Sequence, residues 1–216
     1  MREVRLVASV LVVALCCTAA LASPTGLNNI PTADVAPLNV LVLQTWTSFD
    51  GDASWVAGLK YGPAENWEIG LDDTFSGAGS ASEPALQAKY RIPLRNGVRA
   101  ALGLANISSD RDRNGEFFPY AVVSAPLGEK ATGHLGYSLQ QDNHALFLGA
   151  DAAVSAGLTL RADWIQANDG GESVSSLGFI APIGERWLVE SWASFPTAES
   201  ADSFYTIKVD YVIRIE

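Results

Sequence analysis

A strict alternation of apolar and polar side chains is the feature that most constrains this fold. In residues 204–215, FYTIKVDYVIRI, apolar side chains occupy every second position and mostly polar ones lie between them. A period of two places alternate residues on opposite faces of a β-strand. Twelve such residues extend about 40 Å, which is long for a strand of a small soluble sheet. The pattern therefore predicts a long strand with one apolar and one polar face.

The same alternation returns along the whole chain, and no sustained 3.6-residue period follows residue 22. We therefore predict an all-β fold of about twelve strands. They are expected at 38–48, 53–61, 65–73, 83–92, 97–106, 116–126, 131–140, 144–153, 157–166, 172–182, 186–195 and 203–215.

Two similar hexapeptides, APLGEK at 125–130 and APIGER at 181–186, fall at predicted connections. Proline cannot continue a central ladder, and glycine accepts turn dihedrals, so we interpret the repeat as turn chemistry rather than a pair of ligand sites. Short connections of this kind alternate with longer polar ones, such as 74–82 and 107–115. Outer-membrane barrels typically have short turns at one end and longer loops at the other. We therefore predict an antiparallel up-and-down transmembrane β-barrel over 38–216.

The first 22 residues differ in kind from the rest. Arg2 and Arg5 precede an apolar run, and Ala20-Leu21-Ala22 fits a small-residue cleavage site. This pattern predicts a cleaved secretory signal peptide over 1–22, with an uncleaved membrane anchor as the alternative. Residues 23–37 are then an N-terminal periplasmic segment ahead of the barrel.

Charge and cysteine content limit the partners. Both cysteines lie within residues 1–22, and removal of that segment leaves 12 basic and 23 acidic residues, a net charge of −11. The remaining chain therefore has neither a disulfide framework nor a thiolate metal site, and its acidity argues against nucleic acid. We predict no cofactor. The expected partners are the lipid bilayer with its outer-membrane lipids, and small polar solutes are candidate cargo.

The alternation by itself fits two architectures, since a soluble sandwich buries its apolar face and a membrane barrel turns it to lipid. Strand length, the alternation of loop lengths and the placement of aromatic residues favour the membrane barrel. Aromatic residues near strand ends would form two belts at the lipid headgroups. They are Tyr61, Trp67, Tyr90 and Trp187 beside short turns, and Trp55, Tyr120, Trp164 and Tyr205 near long loops.

The polar faces carry charges of both signs, which we expect to line a narrow lumen. Acids and bases there either pair across the lumen and close it, or line a small water-filled path. The expected lumen residues are Glu68, Asp72, Lys89, Arg91, Arg99, His134, Arg161, Asp163, Glu190, Lys208, Asp210 and Arg214. Glycines on or near this face leave some room, namely Gly70, Gly103, Gly136, Gly149 and Gly178.

Two motifs were weighed as chemical sites. His134 and Ser138 share a strand face, but residues four apart on a strand lie about 13 Å from each other, too far for nucleophile activation. No catalytic residue is therefore predicted. Asp110, Asp112 and Asn114 match the first half of a calcium loop, which makes them a weak metal candidate. Intervening arginines oppose cation binding and favour a solvated outer loop.

Residues 23–37, SPTGLNNIPTADVAP, contain Gly26, Pro31, Thr32 and Ala33 in the spacing G-x-x-x-x-P-T-A. This stretch resembles the opening of large outer-membrane barrel proteins linked to exopolysaccharide, the YjbH type, and of small uncharacterised barrels. The rest of the chain is similar to outer-membrane barrels by pattern alone. Those barrels usually end in an aromatic residue, whereas this chain ends in Glu216.

The sequence thus favours a bacterial outer-membrane barrel that acts as a narrow porin-like channel for small polar solutes, or as a structural barrel without catalysis. A soluble exported β-barrel or sandwich that binds a ligand or partner is the alternative. An outer-membrane lipid-modifying enzyme is the third possibility.

Overall fold

The computed structural model of the chain describes residues 25–49, 54–76, 79–80, 84–140, 144–166, 173–198 and 201–216. The predicted signal peptide over 1–22 lies outside these residues, as do the first two residues of the predicted 23–37 segment. In the described part of the chain, no helix is long and apolar enough to cross a membrane.

The described elements are strands and one short helical turn. The strands are β1 (Val40–Phe49), β2 (Ser54–Ala64), β3 (Trp67–Ser76), β4 (Gly79–Ser80), β5 (Ala85–Pro93), β6 (Arg99–Ile107), β7 (Phe118–Pro126), β8 (Ala131–Leu139), β9 (His144–Ser155), β10 (Leu158–Ile165), β11 (Val174–Ile183), β12 (Trp187–Pro196) and β13 (Phe204–Arg214); the turn is α1 (Arg111–Asn114).

The strands form one closed antiparallel sheet. Successive long strands pair with each other along the chain, β1 pairs with both β2 and β13, and β2 pairs with β3, so the ring is complete. The two-residue β4 pairs with the end of β3 and lies in the predicted 74–82 loop. The predicted fold class is confirmed: twelve long strands close into an up-and-down barrel.

The register keeps apolar side chains beside one another across the sheet. Leu43 of β1 lies opposite Leu59 of β2, which lies opposite Leu71 of β3, which in turn lies opposite Leu86 of β5. A slip of one residue between two strands would turn one strand's apolar set to the opposite face. The alternation in the sequence therefore excludes register slips of an odd number of residues.

The two hexapeptides lie in tight turns, as interpreted from the sequence. APLGEK connects β7 to β8 and APIGER connects β11 to β12. Gly128 and Gly184 adopt φ of 104° and 68°, and a Cβ at either position would meet nothing within 4 Å. The left-handed backbone, not crowding, therefore favours glycine here. We call this side of the barrel the short-turn end, and the opposite side, which carries α1, the loop end.

Candidate functional site

The outer face of the barrel is apolar and the inner face is polar. Leu102, Leu135 and Leu177 point outward with 56%, 56% and 61% of their surface exposed. Glu68 and Glu190, by contrast, point inward and are 2% and 1% exposed. A soluble protein places these residue types the other way round. The distribution matches a barrel whose outer surface meets lipid.

Most of the predicted belt aromatics also point outward. Trp55, Trp67, Tyr90, Trp187 and Tyr205 are each between 39% and 54% exposed. Tyr120 does not belong to the belt, because it is 8% exposed and faces the interior. It shares the inner face of β7 with the buried Val122 and Ser124, two and four positions further along the strand, and that parity decides its direction.

A buried charge network joins β10, β12 and β13. Arg161 Nη1 donates to Glu190 Oε2, and Lys208 Nζ donates to Glu190 Oε1 at 3.0 Å. Lys208 Nζ also lies 3.4 Å from Asp210 Oδ1. Four of the predicted lumen residues therefore meet in one cluster, in which two cations neutralise Glu190 within the barrel interior.

Residues 25–37 fold into the lumen as a short hairpin, which we call the N-terminal plug. Gly26 and Pro31 form an antiparallel bridge, and the Leu27 N–H donates to the Ile30 carbonyl at 2.9 Å across the turn. The plug leads directly into β1 at the short-turn end and therefore enters the lumen from that end. The sequence analysis assigned residues 23–37 to the periplasm, and the side of the membrane that this end faces stays a prediction.

The motif residues of the N-terminal segment build this hairpin. Gly26 and Pro31 form its bridge, and a Cβ at Gly26 would lie 3.2 Å from the carbonyl of the opposite strand. Thr32 is 2% exposed and Ala33 is fully buried. The Ala33 N–H donates to Ser124 Oγ of β7 at 2.9 Å. The G-x-x-x-x-P-T-A pattern thus corresponds, in this chain, to a turn packed against the barrel wall.

Charged wall residues hold the plug at the short-turn end. Arg99 donates through Nε and Nη2 to the two carboxylate oxygens of Asp34, at 2.6 and 2.9 Å. Such bidentate pairs are among the strongest side-chain contacts. The Ala36 N–H donates to Glu68 Oε2 at 2.7 Å. Predicted lumen residues therefore engage the plug rather than only each other.

Two lysines bind the start of the plug. Lys60 Nζ donates to Thr25 Oγ1 at 2.8 Å. Lys89 Nζ donates to the carbonyls of Thr25 and Asp34 at 2.5 and 2.9 Å, and lies 3.7 Å from Glu68. Because Lys89 is 4% exposed, these carbonyls stand in for the water it would otherwise need.

The tip of the plug binds the far wall through Asn29. Its backbone N–H donates to Asp163 Oδ2 at 3.0 Å, and its side-chain Nδ2 donates to Ser176 Oγ at 2.5 Å and Ser194 Oγ at 3.0 Å. Trp192 Nε1 donates to Asn29 Oδ1 at 3.1 Å. Asn29 alone therefore connects the tip of the plug to β10, β11 and β12.

An apolar cluster inside the barrel completes the docking. Leu27 and Ile30 of the plug pack with Ala101, Tyr120, Val122 and Phe147 of the wall. A Cβ at Gly149 would lie 2.5 Å from Leu27 Cδ1, so glycine permits this close approach. The room expected at Gly103 and Gly136 is taken up by the rings of Tyr120 and Phe147 respectively.

A relay of hydrogen bonds surrounds His134. Its Nδ1 lies 2.8 Å from Ser124 Oγ, and its Nε2 lies 2.8 Å from Asp151 Oδ2. The order matches a Ser–His–Asp triad, but the serine is Ser124. Ser138, which the sequence analysis placed too far from His134, bonds the backbone of Ala145. Ser124 is fully buried and accepts the N–H of Ala33 from the plug. Through Ser124, which contacts both His134 and Ala33, this relay therefore positions the plug.

Two of the predicted lumen residues lie at the rim. Arg91 Nε donates to Asn66 Oδ1 at 2.9 Å, in the turn between β2 and β3. Arg214 is the exposed last residue of β13. Neither joins the buried clusters, because both lie near the short-turn end, where solvent replaces protein partners.

The weak metal candidate falls on α1 and its flanks. Residues 111–114 form one helical turn after Asp110, and Asn114 Nδ2 donates to Ser108 Oγ at 2.9 Å. The side chain of Asp112 lies outside the described part. Among the described residues, no group of three or more His, Cys, Asp or Glu could hold a metal ion. The solvated outer loop that the sequence favours here stays a prediction, and cation binding stays its weak alternative.

Sequence reasoning missed the residues that the plug brings into the interior. Leu27, Ile30 and Val35 are apolar residues in a segment without strand periodicity, and this could have signalled burial. Beside the plug the lumen keeps a cavity of about 400 Å³. Its wall includes Trp46 and Lys60, which the alternation places on inner faces but which we did not assign to the lumen.

The chain is similar in fold to solved outer-membrane porins. The KdgM porin shares 9% identity with a TM-score of 0.66, covering 79% of this chain and 98% of that one. The NanC porin shares 10% identity with a TM-score of 0.56 and the same coverages. An outer membrane channel from Pseudomonas putida F1 shares 13% identity with a TM-score of 0.57, covering 83% and 97%. The sequence matches no protein-family model and no curated protein.

Proposed function

We propose that the chain is a porin-like barrel of the bacterial outer membrane that passes small polar solutes by a narrow route, which the N-terminal plug restricts. The observation that carries this proposal is the inverted distribution of side chains. Leucines are exposed on the outside, while charged residues such as Glu68 and Glu190 are buried within. Lipid on the outside and a polar lumen inside account for both.

The solved porins support the channel reading. Their fold extends over about four-fifths of this chain, and one of them, KdgM, was solved in complex with disordered oligogalacturonate. A polar solute can therefore occupy a barrel of this shape. We also propose cleavage after Ala22, with the short-turn end facing the periplasm. The YjbH-type resemblance concerns the plug hairpin and is a hypothesis about that segment.

The alternative functions require different structural features. A soluble exported barrel would need its exposed leucines covered by another surface. A lipid-modifying enzyme would need a nucleophile that reaches the lipid face, whereas Ser124, His134 and Asp151 meet inside the barrel beneath the plug. A structural barrel without transport is compatible with the same geometry, and conductance distinguishes it from a channel.

Single-channel recording in planar bilayers tests the proposal. We expect a small, reproducible conductance from the intact protein, because the plug occupies much of the lumen. Arg99→Ala should raise it, since this change removes both hydrogen bonds to Asp34 and frees the base of the plug. Arg95→Ala is the matched control, because Arg95 is exposed in the β5–β6 turn. Inserted barrels that stay silent in every variant would contradict transport and favour a structural role.

A further inference from the structure

The cavity beside the plug is lined by aromatic, amide and charged side chains. The plug lies against Gly149, Asp163 and Ser176 on one side of the lumen. The cavity of about 400 Å³ lies between the plug and a wall formed by β12, β13, β1, β2, β3, β5, β6 and β7. Its volume falls within the range of roughly 300–1,000 Å³ found for small-molecule sites.

Aromatic rings form part of this wall. Trp46 of β1, Trp192 of β12 and Phe204 of β13 line the cavity, and they come from adjacent strands. Each faces the interior of a barrel whose other aromatic residues mostly face outward. Flat apolar rings inside a polar lumen offer contact area to a ligand that has both apolar and polar surface.

Amides provide the polar part of the wall. Gln44 and Gln87 each donate through Nε2 to one carboxylate oxygen of Asp72, both at 2.8 Å. These contacts hold both amides in place, and each amide keeps its carbonyl oxygen as an acceptor. The wall therefore presents oriented acceptors beside the aromatic rings.

The amide of Asn28, at the tip of the plug, lies beside this cavity but does not face it. Both Oδ1 and Nδ2 of its side chain are buried, and neither has a hydrogen-bond partner within the described structure. Oδ1 lies close to Gly178 of β11, on the wall against which the plug rests. The polar contacts of a solute are therefore expected from the two glutamine amides.

The charged groups of the wall are already engaged. Lys60 is bound by the Thr25 hydroxyl. Lys89 is bound by plug carbonyls and lies near Glu68, and Lys208 is bound by Glu190. Asp72 receives its two amide donors. The hydrogen-bonding groups of the wall that remain for a ligand are neutral, so the lining favours an uncharged ligand over an anion.

We propose that this cavity is a binding site for a small neutral polyhydroxylated solute, of monosaccharide or disaccharide size. Its hydroxyl groups bind Gln44 and Gln87, and its C–H faces pack on Trp46 and Trp192. This inference rests on the proposed function only for the route by which the solute arrives. Binding is measurable without a membrane current, so the two proposals fail separately.

Calorimetric titration of the full-length barrel in detergent with maltose tests the site. We expect saturable binding with a Kd on the order of 1 mM. Gln87→Ala should weaken it by about tenfold, equivalent to the loss of roughly one good hydrogen bond. Trp46→Ala should weaken it at least as much. Trp187→Ala is the matched control, because Trp187 points outward and should leave binding unchanged.

The heat-modifiable migration of each variant on gels shows whether its barrel has formed. Asp72 keeps the Gln44 amide as a donor when Gln87 is truncated, so Gln87→Ala keeps the test decisive if Trp46→Ala fails to fold. Glucuronate should bind more weakly than maltose, and tighter glucuronate binding would overturn the neutral class. No maltose binding, or equal binding by Gln87→Ala, would overturn the site while leaving the conductance experiment to decide the channel.

Discussion

Deletion of residues 25–36 is expected to raise the single-channel conductance several-fold. The plug contributes the side chains of Leu27 and Ile30 to an interior cluster and places Asn29 against the far wall. Removing it vacates this space, and water then hydrates the wall charges that the plug had engaged. The ladder itself does not include these residues, so the barrel is expected to close without them.

The control is a peptide of residues 23–37 added to the deleted barrel. We expect it to lower the current when added on the side of the short-turn end, because the plug enters the lumen from there. Leu135→Ala in the intact chain is a second control, since Leu135 points outward and should leave conductance unchanged. A deleted barrel that inserts with the conductance of the intact chain would show that the plug does not limit the route.

Glu190→Ala is expected to lower the free energy of unfolding by about 3–5 kcal/mol, the usual effect of removing one partner from a buried ion pair. Glu190 is 1% exposed and accepts from both Arg161 and Lys208. Its loss removes the carboxylate that both cations bind, although Asp210 Oδ1 still lies 3.4 Å from Lys208 Nζ. Urea unfolding of the barrel in phospholipid vesicles measures the change.

Glu185→Ala is the matched control for Glu190→Ala. Glu185 is an exposed acid in the β11–β12 turn, and its loss should change stability by less than about 0.5 kcal/mol. Combining Arg161→Met with Glu190→Leu should recover much of the loss, since apolar residues of similar volume often replace a buried pair without penalty. A Glu190→Ala effect as small as that of Glu185→Ala would contradict the buried network.

The strands were predictable because their physical signal is local and repeated. In residues 204–215 the alternation extends over nearly the whole of β13, and the same signal located the other eleven long strands. Face assignment follows from parity, so Arg161, Asp163 and Glu190 could be placed on inner faces from the sequence. Tyr120 was misplaced because its position near a strand end was weighed above its parity within β7.

The plug was not predictable in the same way. Residues 25–37 carry no period of two, and their burial depends on the width and lining of a lumen that distant strands create. Asp34 meets Arg99, and Asn29 meets Asp163 and Ser194, across 65 to 165 positions of sequence. The local sequence pattern cannot predict contacts between residues that lie so far apart in the chain. The apolar Leu27 and Ile30, within a turn-forming segment, were the available signal.

The barrel is expected to turn its apolar face to lipid and to enclose the plugged lumen with its polar face. Quenching of tryptophan fluorescence by brominated lipids tests this most directly. Two proteins are compared in bilayers, one that retains only Trp187, which is 49% exposed and points outward, and one that retains only Trp192, which is 7% exposed and bonds the plug. The Trp187 protein should be strongly quenched and the Trp192 protein hardly at all. Equal quenching of the two, or stronger quenching of Trp192, would contradict the inside-out barrel.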